Sequence, residues 1–141
     1  MRNLLFVLLA GLSAALVTWR QHGVDRLRAE LADQDPLVRR GAALALMRRG
    51  AAAAPAVPEL AALVADDAVA AVAMSALAAI GQAAEPAVPA VAARAMGGDF
   101  LLRARAVFTL CRIAPEHPQT ASAVAAARAT PLLSTLAVPA R

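Results

Sequence analysis

The feature that most constrains this chain is that it repeats itself. Pro55-Ala56-Val57-Pro58 returns 31 positions later as Pro86-Ala87-Val88-Pro89. The same shift carries Leu46 and Gly50 onto Leu77 and Gly81, and Asp35 and Val38 onto Asp66 and Val69. A third copy follows after a two-residue expansion at Gly97-Gly98, where Asp99, Leu102, Arg103, Ala106, Leu110 and Ile113 match Asp66, Val69, Ala70, Ala73, Leu77 and Ile80. With 41 alanines among 141 residues, one recurring tetrapeptide carries little weight. Breakers, apolar positions and acidic caps that recur in register carry a great deal. A unit this short cannot bury its apolar stripe alone. A period of 31 to 33 therefore predicts stacked helical units, about three of which are needed for stability.

Each unit reads as two helices. The first helices are expected to begin near Val24, Pro55 and Pro86, with proline where a missing N–H costs nothing. Their stripes are Val24, Leu27 and Leu31; then Val57, Leu60 and Val64; then Val88, Val91 and Ala95. The second helices open at acidic turns, Asp33-Gln34-Asp35-Pro36, Asp66-Asp67 and Gly98-Asp99. An aspartate there accepts orphan amide hydrogens and favours the positive end of the helix dipole. Gly50 and Gly81 are expected to stop these helices in a left-handed conformation, and Pro115 ends the third. A last helix is expected near Gln119–Ala129, with Leu132, Leu133, Leu136 and Val138 folded over the final pair. Alanine is the best intrinsic helix former, and only 3% of the residues are aromatic, which argues against sheet. The uncharged run Ala68–Ala84 is long, but its strong apolar residues fall largely on one face, in a second-helix slot of the repeat.

The segment Asp35-Pro36-Leu37-Val38-Arg39-Arg40-Gly41-Ala42-Ala43-Leu44-Ala45-Leu46 and its two later copies resemble the HEAT repeats, particularly the short bacterial type related to phycobilisome-lyase repeats. The resemblance covers roughly residues 24–129. It implies an all-α fold, a short right-handed α-solenoid of about three HEAT-like hairpins plus a final helix over 23–141, and the composition of the preceding residues adds an N-terminal hydrophobic helix. It also implies a ladder in which turn aspartates pair with the arginine after the valine across neighbouring repeats. The acids would be Asp35, Asp66 and Asp99, and the bases Arg39 and Arg103. The second copy departs from the pattern, with Ala70 in the arginine position, so the ladder is interrupted at its middle rung.

Residues 1–22 form a segment of their own. Arg2 precedes an uncharged run from Asn3 to Trp19, and Arg20, Gln21 and His22 end it. A helix over Leu4–Trp19 rises about 24 Å, against a hydrocarbon core of about 30 Å. Trp19 beside Arg20 is the pairing found where a spanning helix meets headgroups. The expected placement is a single-pass N-terminal membrane anchor. Export after cleavage behind Ala15 and a buried first helix of the folded domain are the alternatives.

The chemical inventory points away from catalysis, metals and cofactors. His22 and His117 are the two histidines, too far apart in such an array to converge on a metal. Cys111, the lone cysteine, reads as a packed thiol and excludes an internal disulfide framework. Ser75 lies mid-helix with no histidine near it in the repeat, and Gly97-Gly98 is a helix-to-helix turn. Glu116-His117 is a polar loop rather than a ligand pair.

The arginines stand out instead. All 14 basic residues are arginine, and net charge is +4. Arg39, Arg40, Arg48, Arg49, Arg103 and Arg105 on the second helices form a candidate interaction surface. The expected function is a non-catalytic protein-interaction or scaffold module, tethered to or exported across a membrane, with a protein partner. The alternative is a binder of an anionic ligand or nucleic acid through those arginines. Nucleic acid is disfavoured because Phe100 and Phe108 sit among core-like letters rather than as stacking platforms.

Overall fold

The computed structural model describes residues 23–129, which fold without a single strand. The expected N-terminal anchor (1–22) and the expected apolar cap (130–138) lie outside the described residues. Seven α-helices follow in order. They are α1 (23–30), α2 (Pro36–Arg49), α3 (Val57–Leu63), α4 (Ala70–Ile80), α5 (Val88–Met96), α6 (Phe100–Ile113) and α7 (Pro118–Ala129), with 3-10 segments at Gly50–Ala56 and Gly81–Ala87.

Local chemistry explains where these helices start. The Asp35 carboxylate accepts the Leu37 amide at 2.8 Å, and that of Asp99 accepts the Leu101 amide at 3.0 Å. Each satisfies an orphan donor, worth about 1 kcal/mol. Pro36 sits in the first turn of α2, where its missing N–H costs nothing. The middle unit starts differently. Asp66 accepts the Ala68 amide at 3.0 Å and forms a helical turn of its own, but Val69 (φ −127°) interrupts it and α4 begins at Ala70.

The helix stops differ from the sequence expectation. Gly50 (φ 55°, ψ −132°) and Gly81 (φ 77°, ψ −143°) do have positive φ, but their ψ values lie far from the left-handed helix. This conformation belongs to glycine, because a Cβ would clash there. It redirects the chain into a 3-10 segment instead of releasing it into a loop. Pro55 and Pro86 consequently fall inside the 3-10 segments, and Pro58 and Pro89 take the first-turn positions of α3 and α5. The expected helix starts at Pro55 and Pro86 are thus early by two residues.

Helices this short are marginal alone, so packing holds them. α4 lies between α2 and α6, while α5 packs against α3 and α7, and the hairpins α3–α4 and α5–α6 join the two sets. Equivalent residues do equivalent work. Leu46, Leu77 and Leu110 are each fully buried. Ala42, Ala73 and Ala106, at most 1% exposed, let neighbouring helices approach closely. Val57 with Leu60 and Val88 with Val91 fill the other side of the core. The buried Thr109 hydroxyl donates to the Arg105 carbonyl at 2.9 Å and lies 3.4 Å from the Met74 carbonyl of α4.

By length and composition alone the stretch Ala70–Met96 could cross a membrane, and half of its most apolar window is buried inside the protein. Gly81 divides it into α4 and the segment leading to α5. The buried Met74, Leu77, Val88 and Val91 pack with the rest of the core.

Leu77→Ala should cost about 2–5 kcal/mol and Ala73→Leu about 1–3 kcal/mol, the first by a cavity and the second by overpacking. Ala79→Ser, on the exposed side of α4, should stay within about 0.5 kcal/mol. Urea unfolding of the full chain followed by circular dichroism ranks the three.

Candidate interaction surface

Charge is unevenly distributed over the helices. α2 carries Arg39, Arg40, Arg48 and Arg49, α6 carries Arg103, Arg105 and Arg112, and neither helix contains an acid. α4 between them has no charge at all. The carboxylates lie in the turns and on the other set of helices.

Not all of these arginines face outward. Arg39 is 18% exposed and reaches across to the next unit, where Nη2 meets Asp66 Oδ2 at 2.7 Å. Its Nη1 donates to the carbonyls of Asp33 (2.8 Å) and Gln34 (2.9 Å). The hydrogen bond from Arg39, with that from the Ala68 amide, holds the Asp66 carboxyl below the usual carboxylate range. At the next junction position 70 is alanine and no such bridge can form. Asp99 caps Leu101 there, and Arg94 of α5 pairs with Asp67 in place of the missing contact. Arg103 Nε lies 3.4 Å from the Ala95 carbonyl, inside its own hairpin. Arg49 extends over Gly23, where a Cβ would sit 2.7 Å from its guanidinium. Arg39 and Arg103 are therefore half-buried and engaged within the protein, while Arg40, Arg48, Arg49 and Arg105 are exposed, Arg49 lying over Gly23.

Besides the local pairs Arg26–Glu30 and Arg28–Asp25 within α1, two bridges between units have no counterpart in the sequence reading. Arg28 Nη2 meets Glu59 at 2.7 Å and joins α1 to α3. Burial pushes the Glu59 carboxyl up, but the bonds from Arg28 and the backbone outweigh it and leave it lowered. Arg94–Asp67 is the second. A signal was present: Arg39–Asp66 and Asp67–Arg94 are both 27 residues apart, about a period less one turn.

The outward side of α2, α4 and α6 is laid out in three matching rows. α2 presents Leu37, Gly41, Leu44 and Arg48, spaced i, i+4, i+7, i+11. The turn before α4 and α4 itself present Ala68, then Val72, Ser75 and Ala79, at the same repeat positions, and α6 presents Leu101, Arg105, Phe108 and Arg112. Leu37 (74%), Leu101 (71%) and Phe108 (62%) are strongly exposed. Phe108 corrects the expectation that it belongs to the core. Ala106, Val107, Leu110 and Ile113 take the inner side of α6, and the helical turn leaves position 108 opposite them. The rows are tied together where Arg105 Nη1 donates to Ser75 Oγ at 2.8 Å, while that hydroxyl donates to the Ala71 carbonyl at 2.9 Å.

The other candidate groups have local roles. Cys111 is half-buried, and burial pushes its thiol pKa up despite nearby Arg128. His117 Nδ1 accepts the Gln119 amide at 3.2 Å at the start of α7. Among the described residues no three of His, Cys, Asp or Glu converge as metal ligands. A shallow apolar groove between α5 and α7 is lined by Pro89, Ala92, Met96, Gln119 and Ala123. Comparison with protein-family models, with curated proteins and with solved structures finds no match to this chain.

The lowered Asp66 and Glu59 carboxyls set the sign of a pH effect. A depressed folded-state pKa contributes stability above the unfolded value, and that stability is lost as pH falls through the folded value. Asp66→Asn keeps an acceptor for Ala68 and removes the charge. Its urea midpoint should lie below that of the native chain at pH 7, and the gap should close as pH falls below about 4, the unfolded aspartate value.

Proposed function

We propose that this chain is a non-catalytic protein-interaction module, a short right-handed α-solenoid of HEAT-like hairpins whose working face is the outward side of α2, α4 and α6. One observation carries the reading: Leu37, Leu101 and Phe108 are large apolar side chains left in water on a face that contains arginine and no acid. Scattered exposed leucines mean little, but these take matching repeat positions on α2 and α6, the two helices that flank α4. The parallel register supports the solenoid. Arg39 joins the N-terminal ends of consecutive second helices, and Ser75 meets Arg105 at mid-helix. In this reading residues 1–22 tether the module to a membrane or direct its export, which keeps the working face near a membrane-associated partner.

The test is photocrosslinking in cells with p-benzoylphenylalanine at position 108 and, as a control, at Ala93 on α5. The expected result is one discrete protein adduct at 108, lost in Leu37→Asp and absent at 93. Absence of any adduct at 108, or equal adducts at both sites, overturns the proposal. Alkaline washing of membranes from the full chain and from a chain lacking residues 1–22 tests the tether. Retention of the full chain alone supports it.

Binding of nucleic acid is a second reading, and one observation favours it: Phe108 stands exposed between Arg105 and Arg112, so an aromatic platform is flanked by cations. It requires affinity for single-stranded DNA that falls steeply with salt. Fluorescence anisotropy at two salt concentrations decides it.

A further inference from the structure

We infer that the face formed by α2, α4 and α6 takes one acidic amphipathic helix of a partner protein, laid along α4 with carboxylates turned toward the arginines on both sides. The inference rests on the interaction-module reading and gives its partner a chemistry.

The face has a floor and two walls. Across the floor Ala68, Val72, Ser75 and Ala79 project little, valine being the largest. The α2 wall carries Leu37, Leu44 and Arg48, and the α6 wall carries Leu101, Arg105, Phe108 and Arg112. Packed helix axes lie about 8–10 Å apart, so α2 and α6 stand about 16–20 Å apart with α4 between them. A helix with its side chains is about 10–12 Å across. A partner helix laid over α4 is therefore within reach of outward side chains from both walls. α2 and α6, at 14 residues each, run about 21 Å, enough to support roughly four turns of a partner.

Charge selects among occupants. Arg40, Arg48 and Arg112 have no carboxylate partner among the described residues, and Arg105 meets only a hydroxyl. A second copy of this chain seated face to face would bring arginines against arginines. A flat bilayer would touch the walls and leave the floor uncovered. An apolar ridge of leucine or phenylalanine over Val72 and Ala79, with Asp or Glu on either flank, satisfies both the shape and the charge. Such helix-in-groove recognition uses anchors at i, i+3, i+4 and i+7. Its charged rim sets specificity and orientation more than raw affinity.

The test uses a phage-displayed library of 18-residue helices with all surface positions randomised, selected against the full chain in non-ionic detergent micelles. Enrichment of an apolar ridge flanked by Asp and Glu is expected. The best synthetic peptide should then lose affinity about tenfold, equivalent to about 1.4 kcal/mol, toward the Arg48→Glu/Arg112→Glu chain. A peptide with its acids changed to lysine should regain affinity for that chain, an outcome that misfolding cannot produce. Selection of basic or proline-rich extended peptides, or of none, overturns the inference. So does preference for phosphatidylglycerol vesicles or single-stranded DNA over the acidic peptide. If the crosslink at position 108 persists while the acidic peptides fail, the interaction module stands and its partner has another chemistry.

Discussion

Close approach of helices across alanine is the constraint on which the rest of the structure depends. Ala42, Ala73 and Ala106 are almost wholly buried at equivalent positions, beside Leu46, Leu77 and Leu110. Interiors pack at the density of organic crystals, so one small and one large residue per turn fixes the spacing of α2, α4 and α6. α4 illustrates how completely packing replaces other forces. It has 11 residues, no side-chain cap and no charge, yet seven of its residues are buried. Helix propensity makes the segment willing to be helical, and its neighbours make it stay so.

Electrostatics then differentiates units that packing makes alike. The first junction is bridged by Arg39 and Asp66, both partly shielded from water. The second lacks the arginine because position 70, the first residue of α4, is a buried alanine, and Arg94 approaches from the other set of helices to reach Asp67. Exposed ion pairs contribute little to stability. Their more important role here is directional: they absorb the acids of the turns and some of the arginines, and leave the outward rows of α2 and α6 basic.

Much of this was legible in the sequence, and the parts that were not have physical causes. The all-helical class, the position of α7 and the capping roles of Asp35 and Asp99 follow from local signals: apolar spacing, acidic turns and proline placement. The helix starts near Pro55 and Pro86 were misplaced because Pro-Ala-Val-Pro offers two prolines. The choice between them depends on Gly50 and Gly81 driving a 3-10 segment, a backbone effect with no side-chain signature. Phe108 was assigned inward because aromatic letters usually are buried. The phase set by Leu110 and Ala106 on the same helix could have placed it outside. Among the arginines the letters alone cannot separate Arg39 from Arg40. One residue of helical rotation, about 100°, sends the first to Asp66 and the second to solvent.

The wiring of the helices bears on how the chain acquires its shape. The main tertiary contacts join elements that are adjacent or next but one in order. Topologies built from such near-neighbour contacts fold fast. They also suit vectorial synthesis, because each hairpin meets its docking site soon after it emerges and never waits for a distant strand. Each helix still waits for the one next but one, and α4 keeps its second flank open until α6 arrives. A ribosome pause between Gly81 and Phe100 would therefore hold an apolar helix half-covered, and the two-residue Gly97-Gly98 expansion lies where the covering helix must swing into place.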